Sequence, residues 1–297
     1  MKPVRTALFA PGIKERVMTK ALESGADAVI LDLEDSVPLA SKAEARVLVS
    51  KTIDNVAGNL ARPAIYVRVN AAGTGLLADD LDVVVHPGLD AILLAKAETI
   101  EDVQVTATTI DRHELQRNMP RGSVGIILML ETALGVHNCF DLIKASPRVT
   151  ATCFGSARDG DLQTDLGCAW SIEGTELLYA RSKVLLDTRA AGSHIHPLDG
   201  VFSDLNDEAA LIADTRLSVR LGYIGRTVIH PKQIAPVKSA YAVPAAEVAY
   251  YQKVAAEFAA AEKAGTAAIV VDGKLVDYAM AQRARRVLEL AELDRPR

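Results

Sequence analysis

The sequence predicts an α/β protein built as an eight-stranded parallel (β/α)8 TIM barrel with a C-terminal helical extension. Three observations favour this fold: eight short apolar runs that each end in a polar or turn residue, a helix-like stretch after most of them, and the absence of a G-x-G-x-x-G motif. The missing motif disfavours the rival fold, an open doubly wound sheet. A length of 297 residues accommodates such a barrel, which takes about 250 residues, together with a modest extension.

Predicted strands and helices alternate along the barrel segment. The apolar runs begin at Thr6, Ala28, Ala64, Ala91, Val124, Thr150, His194 and Arg226. Amphipathic stretches at helical spacing follow the first, second, fourth and fifth runs, over residues 14–26, 41–58, 98–116 and 132–146. This alternation indicates parallel βαβ units, and in a closed barrel the carboxyl ends of all strands open onto one mouth. Residues far apart in the sequence are therefore expected to converge on a single site.

The C-terminal segment exceeds what a barrel needs, so we predict a barrel domain over residues 1–240 and an extension over residues 241–297. Residues 244–263 predict a long Ala-rich helix, and residues 278–293 predict a final helix. An Asp-Gly pair in the intervening AIVVDGKLVD predicts a turn. We expect the extension to form a lid that packs on its own barrel or on a neighbouring subunit.

Composition disfavours several classes of function. The net charge of −5 and the pI near 5.7 argue against nucleic acid and against an anionic membrane as partners. No apolar run approaches the roughly 20 residues of a membrane span, and the first residues lack the apolar segment of a signal peptide. A soluble, cytoplasmic protein is expected. The three cysteines have no paired metal-binding spacing and are expected to be ordinary buried thiols.

Glu131 is the residue whose position points most strongly to chemistry. It ends the run VGIILMLE, where a carboxylate after seven mostly apolar residues would be costly unless it faced a polar cavity. One interpretation is a carboxylate at the start of the helix that begins at Thr132. The other is a ligand for a hard metal ion, with a second ligand from Asp159, Asp161 or Asp165 in DGDLQTDLG. One or two carboxylates with water and substrate oxygens are typical of Mg²⁺, and the lack of a convergent His/Cys set disfavours zinc.

Charged residues also end the second, third and fourth runs. Arg68 either pairs with a neighbouring aspartate or provides a guanidinium fork for a substrate carboxylate. Asp32, Glu34 and Asp35 form an acidic cluster after the second run, and Lys96 follows the fourth. These four residues are expected to support Arg68 and metal-bound water rather than to bind the metal directly.

Eight phrases of the sequence resemble the citrate lyase β-subunit-like proteins of the HpcH/HpaI aldolase/citrate lyase superfamily. In family order they are LFAPGIKER, SGADAVILDLEDSV, VRVN, LLAKAET, LMLET, DLQTDLG, LGYIGRTVIHPKQI and DGKLVD, and together they extend over nearly the whole chain. The resemblance implies a Mg²⁺-dependent (β/α)8 barrel that makes or breaks a C–C bond between an acyl-CoA-type thioester and a 2-keto acid.

The resemblance also implies roles for individual residues. Glu131 and Asp161 would hold the metal, and Arg68 would bind the carboxylate of the keto acid, so that Arg68 and Glu131 are the predicted substrate-binding residues. Asp277, in DGKLVD, would be the general base and would act in the site of a neighbouring subunit. Without the resemblance, Asp277 would be interpreted as an exposed turn residue.

The chain departs from the family pattern beside the predicted metal site. The usual F-G-x-x-D link is lengthened in FGSARDGDLQ, where residues 156–160 precede Asp161. Asp159 is therefore an alternative metal ligand. Glu34 and Asp35 match positions that support the site in the family.

The predicted function is that of a Mg²⁺-dependent carbon–carbon lyase. It would cleave a β-hydroxyacyl-CoA, such as malyl-CoA or citramalyl-CoA, to acetyl-CoA and a 2-keto acid, or form it from them. The alternatives are a citrate lyase β subunit acting on a citryl thioester bound to an acyl carrier, a CoA-independent 2-keto acid aldolase, a malyl-CoA thioesterase and a non-catalytic subunit of a complex. A homo-oligomer, either a trimer or a hexamer, is expected, with an acyl-carrier subunit as a further possible partner.

Overall fold

The computed structural model describes residues 2–294, and these contain a closed barrel of eight parallel strands. Each strand pairs with the next along the chain, and the last pairs with the first. The strands are β1 Thr6–Pro11, β2 Ala28–Asp32, β3 Ala64–Val69, β4 Ala91–Leu94, β5 Gly125–Leu130, β6 Val149–Phe154, β7 His196–Asp199 and β8 Gly225–Val228. The predicted (β/α)8 barrel is confirmed, and every one of the eight apolar runs contributes a strand.

Helices connect the strands, as the alternating pattern predicts. They are α1 Glu15–Leu22, α2 Lys42–Val56, α3 Leu77–Val84, α4 Ile100–Gln116, α5 Ala133–His137, α6 Cys139–Lys144, α7 Asp161–Leu166, α8 Leu178–Ala191, α9 Glu208–Leu221 and α10 Ile234–Tyr241. The stretch predicted as one helix after β5 is divided into α5 and α6 at Asn138. This residue has φ −88° and ψ 4°, and its side chain donates to the carbonyl of Glu98.

Apolar side chains from the strands form the core inside the barrel. The inward-facing core includes Ala28 and Ile30 on β2, Ala91 and Leu93 on β4, Ile127 and Met129 on β5, and Ala151 and Cys153 on β6. Members of each pair are two residues apart because side chains of a strand alternate between its two faces. The strands are also covered by helices, so β2 and β5 are buried at every position.

A buried ion pair joins α4 to the residue before β6. Glu114 is 1% exposed, and its Oε1 accepts a hydrogen bond from Nη1 of Arg148 at 3.0 Å and from the Val124 N–H at 2.9 Å. Its Oε2 accepts from the Gly122 N–H at 2.8 Å. Burial raises the pKa of Glu114, but the hydrogen bonds from Arg148, Val124 and Gly122 outweigh burial and lower the pKa to about 2.

The chain divides after Ala240 into two compact units, and the second is not wholly helical. It contains α11 Ala245–Lys263, the hairpin strands β9 Ile269–Val271 and β10 Lys274–Val276, and α12 Tyr278–Glu292. Asp272 and Gly273 connect the hairpin strands with φ values of +47° and +75°, as a two-residue type I′ turn requires. The Asp-Gly turn signal therefore marks a hairpin. Within residues 2–294, none of the helices is long and apolar enough to span a membrane.

Candidate active site

On three strands, the row of side chains that face the barrel interior ends in a charged residue. The last apolar members of these rows are Ile30, Tyr66 and Met129. Two positions further along, the rows reach Asp32, Arg68 and Glu131, and strand register pairs Asp32 with Arg68. All three line a cavity of about 340 Å³. The carboxyl ends of β2, β3 and β5 therefore place these charges in the mouth of the barrel.

Arg68 is held in a fixed orientation by two acidic side chains. Its Nε and Nη2 atoms lie 2.7 and 2.8 Å from the two carboxylate oxygens of Asp32, and its Nη1 lies 2.9 Å from Oε2 of Glu34. The guanidinium carbon lies 5.0 Å from the centre of the Phe9 ring. The hydrogen bonds to Asp32 use two of the five guanidinium N–H groups, Glu34 adds an ion pair without an aligned hydrogen bond, and Arg68 lines the cavity. Pairing with a neighbouring aspartate and binding of a substrate carboxylate are thus compatible roles.

The two carboxylates that hold Arg68 differ in their protonation behaviour. Burial raises the pKa of Asp32, but the hydrogen bonds and charge of Arg68 outweigh this and leave the pKa below its usual value. Burial also raises the pKa of Glu34, and there the opposing charges of Arg68 and Lys96 do not compensate fully. The lowered pKa of Asp32 favours its ionised form, which fixes Arg68 through two hydrogen bonds.

Glu131 is 5% exposed, and its Oε1 accepts a hydrogen bond from the Lys96 N–H at 3.1 Å. Burial raises the pKa of Glu131 to about 7; Arg68 and Lys96 oppose this shift, whereas Glu34 and Asp161 reinforce it. The hydroxyl of Thr132 caps α5, so Glu131 is not the capping residue of that helix. Since Glu131 is buried beside the acidic groups Glu34 and Asp161, an additional cation nearby would stabilise its ionised form.

Lys96 links several of these carboxylates. Its Nζ lies 2.6 Å from Oε1 of Glu34, 3.2 Å from Oδ2 of Asp161 and 4.0 Å from Oδ2 of Asp35. Asp35 also lies 3.9 Å from Nη1 of Arg68, and its side chain is 61% exposed. The four residues expected to support the site thus contact either Arg68 or a predicted metal ligand.

The two alternative metal ligands in the lengthened loop occupy different surroundings. Asp161 is the first residue of α7 and lines the cavity together with Glu131. Asp159 is 81% exposed at its side chain, has φ +58° and forms an ion pair with Arg158 at 3.7 Å. Asp165 is engaged elsewhere, because its Oδ2 accepts from the Ala133 N–H at 2.6 Å. The geometry therefore favours Asp161 over Asp159.

The donor set of the cavity fits a hard divalent cation. The cavity is lined by four acidic groups, Asp32, Asp35, Glu131 and Asp161, and by Arg68; Glu34 and Lys96 lie next to it and contact Arg68 and Asp161. When all are ionised, the carboxylates leave an excess of negative charge that the two cations do not neutralise. Within residues 2–294, no three His, Cys, Asp or Glu side chains converge into a metal cage. This arrangement suits Mg²⁺, which commonly takes one or two protein carboxylates and completes its shell with water and substrate oxygens.

Gly155 was not anticipated from the sequence as a site residue. It follows β6 in the same inward row as Cys153 and lines the cavity. A Cβ atom at this position would lie 2.4 Å from Cβ of Glu131, so the neighbouring strand end requires glycine here. The alternation of the row places residue 155 inward, but only the packing of β5 beside β6 reveals the close approach.

Several polar strand-end residues are used elsewhere. Asp199 is fully buried and accepts from Nε of Arg181 at 3.1 and 3.0 Å. The Asn70 side chain donates to Asp80 at 2.6 Å. His230 accepts from the Lys232 N–H at 3.2 Å and so begins a short 3₁₀ turn. These three side chains make contacts within the fold, and none of them lines the cavity.

Asp277 lies in the C-terminal unit, directly after β10. It is exposed, and its Oδ1 accepts from the Met280 N–H at 3.0 Å, which caps α12. The structure therefore gives Asp277 a capping role within its own unit.

Comparison with known families identifies the chain. Residues 5–231 match the model of the HpcH/HpaI aldolase/citrate lyase family, and residues 183–294 match a model described as a C–C bond lyase of the TIM-barrel fold. The chain belongs to the HpcH/HpaI aldolase/citrate lyase family. The prediction of a carbon–carbon lyase is confirmed at the level of this family.

Three curated relatives are named as a citrate lyase subunit, a citramalyl-CoA lyase and a malyl-CoA thioesterase. The citrate lyase subunit beta of Leuconostoc mesenteroides subsp. cremoris is 34% identical over 287 residues, covering 97% of this chain and 93% of the relative. The mitochondrial citramalyl-CoA lyase of Homo sapiens is 29% identical over 299 residues, covering 97% and 86%. The (3S)-malyl-CoA thioesterase of Cereibacter sphaeroides is 34% identical over 290 residues, covering 98% and 95%.

A solved structure supports the same assignment. The protein CitE from Mycobacterium tuberculosis, in complex with magnesium, acetoacetate and coenzyme A, superposes with a TM-score of 0.74 and 28% sequence identity. The match covers 98% of both chains. The likeness therefore includes the C-terminal unit as well as the barrel.

Proposed function

We propose that this family member is a Mg²⁺-dependent lyase that cleaves a β-hydroxyacyl-CoA, such as malyl-CoA or citramalyl-CoA, to acetyl-CoA and a 2-keto acid. The observation that carries the proposal is the buried Glu131, which lines the same cavity as Asp161 and Arg68. The presence of magnesium and coenzyme A in the related Mycobacterium tuberculosis structure supports it.

Glu131 and Asp161 would hold the metal ion. Bound there, Mg²⁺ would supply a Lewis acid that stabilises negative charge on the substrate hydroxyl oxygen during cleavage. The backbone N–H of Lys96 would support Glu131, and Glu34 would hold the Lys96 ammonium. The remaining groups of the cavity would position the substrate.

Arg68 would bind the carboxylate of the keto-acid half. A guanidinium matches a carboxylate in two hydrogen bonds, and the two bonds to Asp32 leave other N–H donors of Arg68 for this contact. Since Asp32 and Glu34 already hold the fork, binding the substrate would cost little additional side-chain ordering. The basic residues Lys14, Arg16 and Lys20, at and after the end of β1, are candidates for the CoA phosphates.

The cleavage itself requires a base. It removes the proton of the β-hydroxyl group, the bond between the β and α carbons breaks, and its electron pair passes to the thioester as an enolate. Protonation of the enolate carbon then gives acetyl-CoA, and the former hydroxyl carbon becomes the carbonyl of the keto acid. We assign the base to Asp277, supplied to the mouth of a neighbouring subunit in a homo-oligomer, with a trimer or hexamer as the expected assembly. Its exposed position after β10 and its free Oδ2 atom support this role.

The direct test is product analysis with the purified full-length chain. Malyl-CoA and citramalyl-CoA are supplied separately with Mg²⁺, and acetyl-CoA, glyoxylate and pyruvate are quantified. Acetyl-CoA in equal amount with glyoxylate or pyruvate is expected. Turnover that persists in Glu131→Ala, or that is unaffected by chelation of Mg²⁺, would refute the metal-dependent mechanism.

The same assay separates the alternatives that the relatives' names raise. A malyl-CoA thioesterase would release free CoA and malate, without net accumulation of glyoxylate. A citrate lyase β subunit would be inactive with the CoA esters and active with a citryl thioester on an acyl-carrier protein. A CoA-independent aldolase would act on a free hydroxy acid. Absence of turnover on every thioester would favour a non-catalytic subunit.

A further inference from the structure

Lys96 contacts both carboxylates that are proposed to bind the metal. Its backbone N–H donates to Oε1 of Glu131 at 3.1 Å, and its Nζ lies 3.2 Å from Oδ2 of Asp161. The same Nζ lies closer to Oε1 of Glu34, at 2.6 Å. One residue thus connects the two ends of the proposed metal site.

The backbone of Lys96 adopts a conformation that is unfavourable for residues other than glycine. Its φ angle is +46°, in the left-handed region where glycine is the usual residue. Such strain persists only where surrounding contacts over-determine it, and here the N–H bond to Glu131 and the ammonium contacts supply them. A lysine, rather than a glycine, at this turn places a positive charge among the carboxylates.

Before any metal binds, the positive charge of Lys96 offsets the negative charges of the carboxylates around it. Glu34 and Asp161 lie close enough to Glu131 for their negative charges to act on it. Without a cation among them, like charges would repel and the loop that carries Asp161 would lose its attraction to the end of β4. The ammonium of Lys96 can also leave, because its side chain is 29% exposed and joined to the backbone by a flexible stem.

We propose that Lys96 is a placeholder for the divalent cation, holding Asp161 in the metal-free protein and releasing it when Mg²⁺ binds. This role rests on the proposed metal site and adds that the Lys96 ammonium and Mg²⁺ compete for Asp161. The contact with Asp161 is the longer one and is given up, whereas the contact with Glu34 is kept. Lys96 is therefore a positioning residue whose charge opposes the metal while its backbone N–H supports Glu131.

The competition predicts opposite effects on two measurable quantities. Lys96→Met keeps the backbone and much of the side-chain volume but removes the charge. Its metal-free form should melt at a lower temperature than the wild type, because Asp161 and Glu34 lose their partner. Its affinity for Mg²⁺, measured by isothermal titration without substrate, should rise about 30-fold, because a unit positive charge repels a doubly charged ion at a separation of about 4 Å even through water. Lys96→Arg should bind Mg²⁺ like the wild type.

A matched control removes a lysine charge outside the cavity. Lys51→Met breaks an exposed ion pair with Glu15, 3.0 Å long, and should leave Mg²⁺ affinity unchanged. Unchanged or weaker Mg²⁺ binding by Lys96→Met would overturn the placeholder role, because a merely supporting lysine strengthens the metal site. Should Lys96→Met not fold, Lys96→Gln tests the same expectation. Absence of Mg²⁺ binding by the wild type would refute the metal site itself, and the placeholder role with it.

Discussion

Replacing Gly155 by alanine tests whether the space beside Glu131 is required by the site. The added Cβ would lie 2.4 Å from Cβ and 2.8 Å from Cα of Glu131. Carbon atoms pack at about 3.5–4.0 Å, so the shorter contact overlaps by about 1 Å. Neither neighbour is the flexible end of a side chain, and the Gly155 N–H is bonded to the Leu130 carbonyl at 2.9 Å. The strain can therefore be relieved only by moving main chain, either at Glu131 or at residue 155, and both shifts change the position of Glu131 relative to the end of β6.

The size of the effect follows from that displacement. A catalytic group misplaced by about 1 Å can lose about 100-fold in activity, and overpacking of this kind costs about 1–3 kcal/mol in the free energy of unfolding. We expect Gly155→Ala to fold, to unfold at lower urea concentration and to bind Mg²⁺ weakly. Acetyl-CoA release gives kcat/KM, and isothermal titration gives the Mg²⁺ affinity.

The control for this variant is Gly58→Ala, where an added Cβ meets nothing within 4 Å and the backbone is not left-handed. It should keep wild-type activity and Mg²⁺ affinity. Wild-type Mg²⁺ affinity and turnover in Gly155→Ala would refute the reasoning, because the site would then tolerate the displacement of Glu131.

Three further predictions concern the metal ligand, acid stability and the base. Asp161→Asn should abolish Mg²⁺ binding in isothermal titration and Asp159→Asn should not; the reverse result would assign the metal to Asp159. Glu114, with a pKa lowered from its usual 4.5 to about 2, stabilises the folded protein above pH 4.5 by about 3 kcal/mol, a contribution lost as pH falls from 4.5 to about 2. Urea unfolding at pH 7 and pH 3 should thus show a smaller pH dependence for Glu114→Gln than for the wild type, and an equal dependence would contradict this. Asp277→Ala should lose turnover while retaining Mg²⁺ binding, and mixing it with Arg68→Ala should restore activity; no restoration after demonstrated subunit exchange would exclude a base supplied between subunits.

Much of the barrel could be predicted because its signals are local. Each strand is a short apolar run, amphipathic stretches mark the helices after the first, second, fourth and fifth strands, and the alternation leaves few topologies for parallel strands. The division of the helix after β5 was not predictable in this way, because it depends on the bond from Asn138 to Glu98 in a different βα unit.

The sequence predicts a site residue where a charged side chain directly follows a buried apolar strand, because burying a charge is costly. Glu131 stands out because a carboxylate ends an apolar run, and the structure places it in a cavity with Asp161. The sequence could not separate Asp159 from Asp161, because the lengthened loop allows either to point inward. It also could not show that Asp199 would be taken by Arg181 from α8.

By itself, the sequence determined the family, the strand order and the residues that end each strand, because these depend on local periodicity and contiguous motifs. The tertiary structure decided which of those residues share one cavity, that Gly155 leaves room for Glu131, and that Lys96 reaches both Glu131 and Asp161. These are relations between strands far apart in the chain. They depend on register, on backbone conformation and on distances of a few ångströms, which no local pattern encodes.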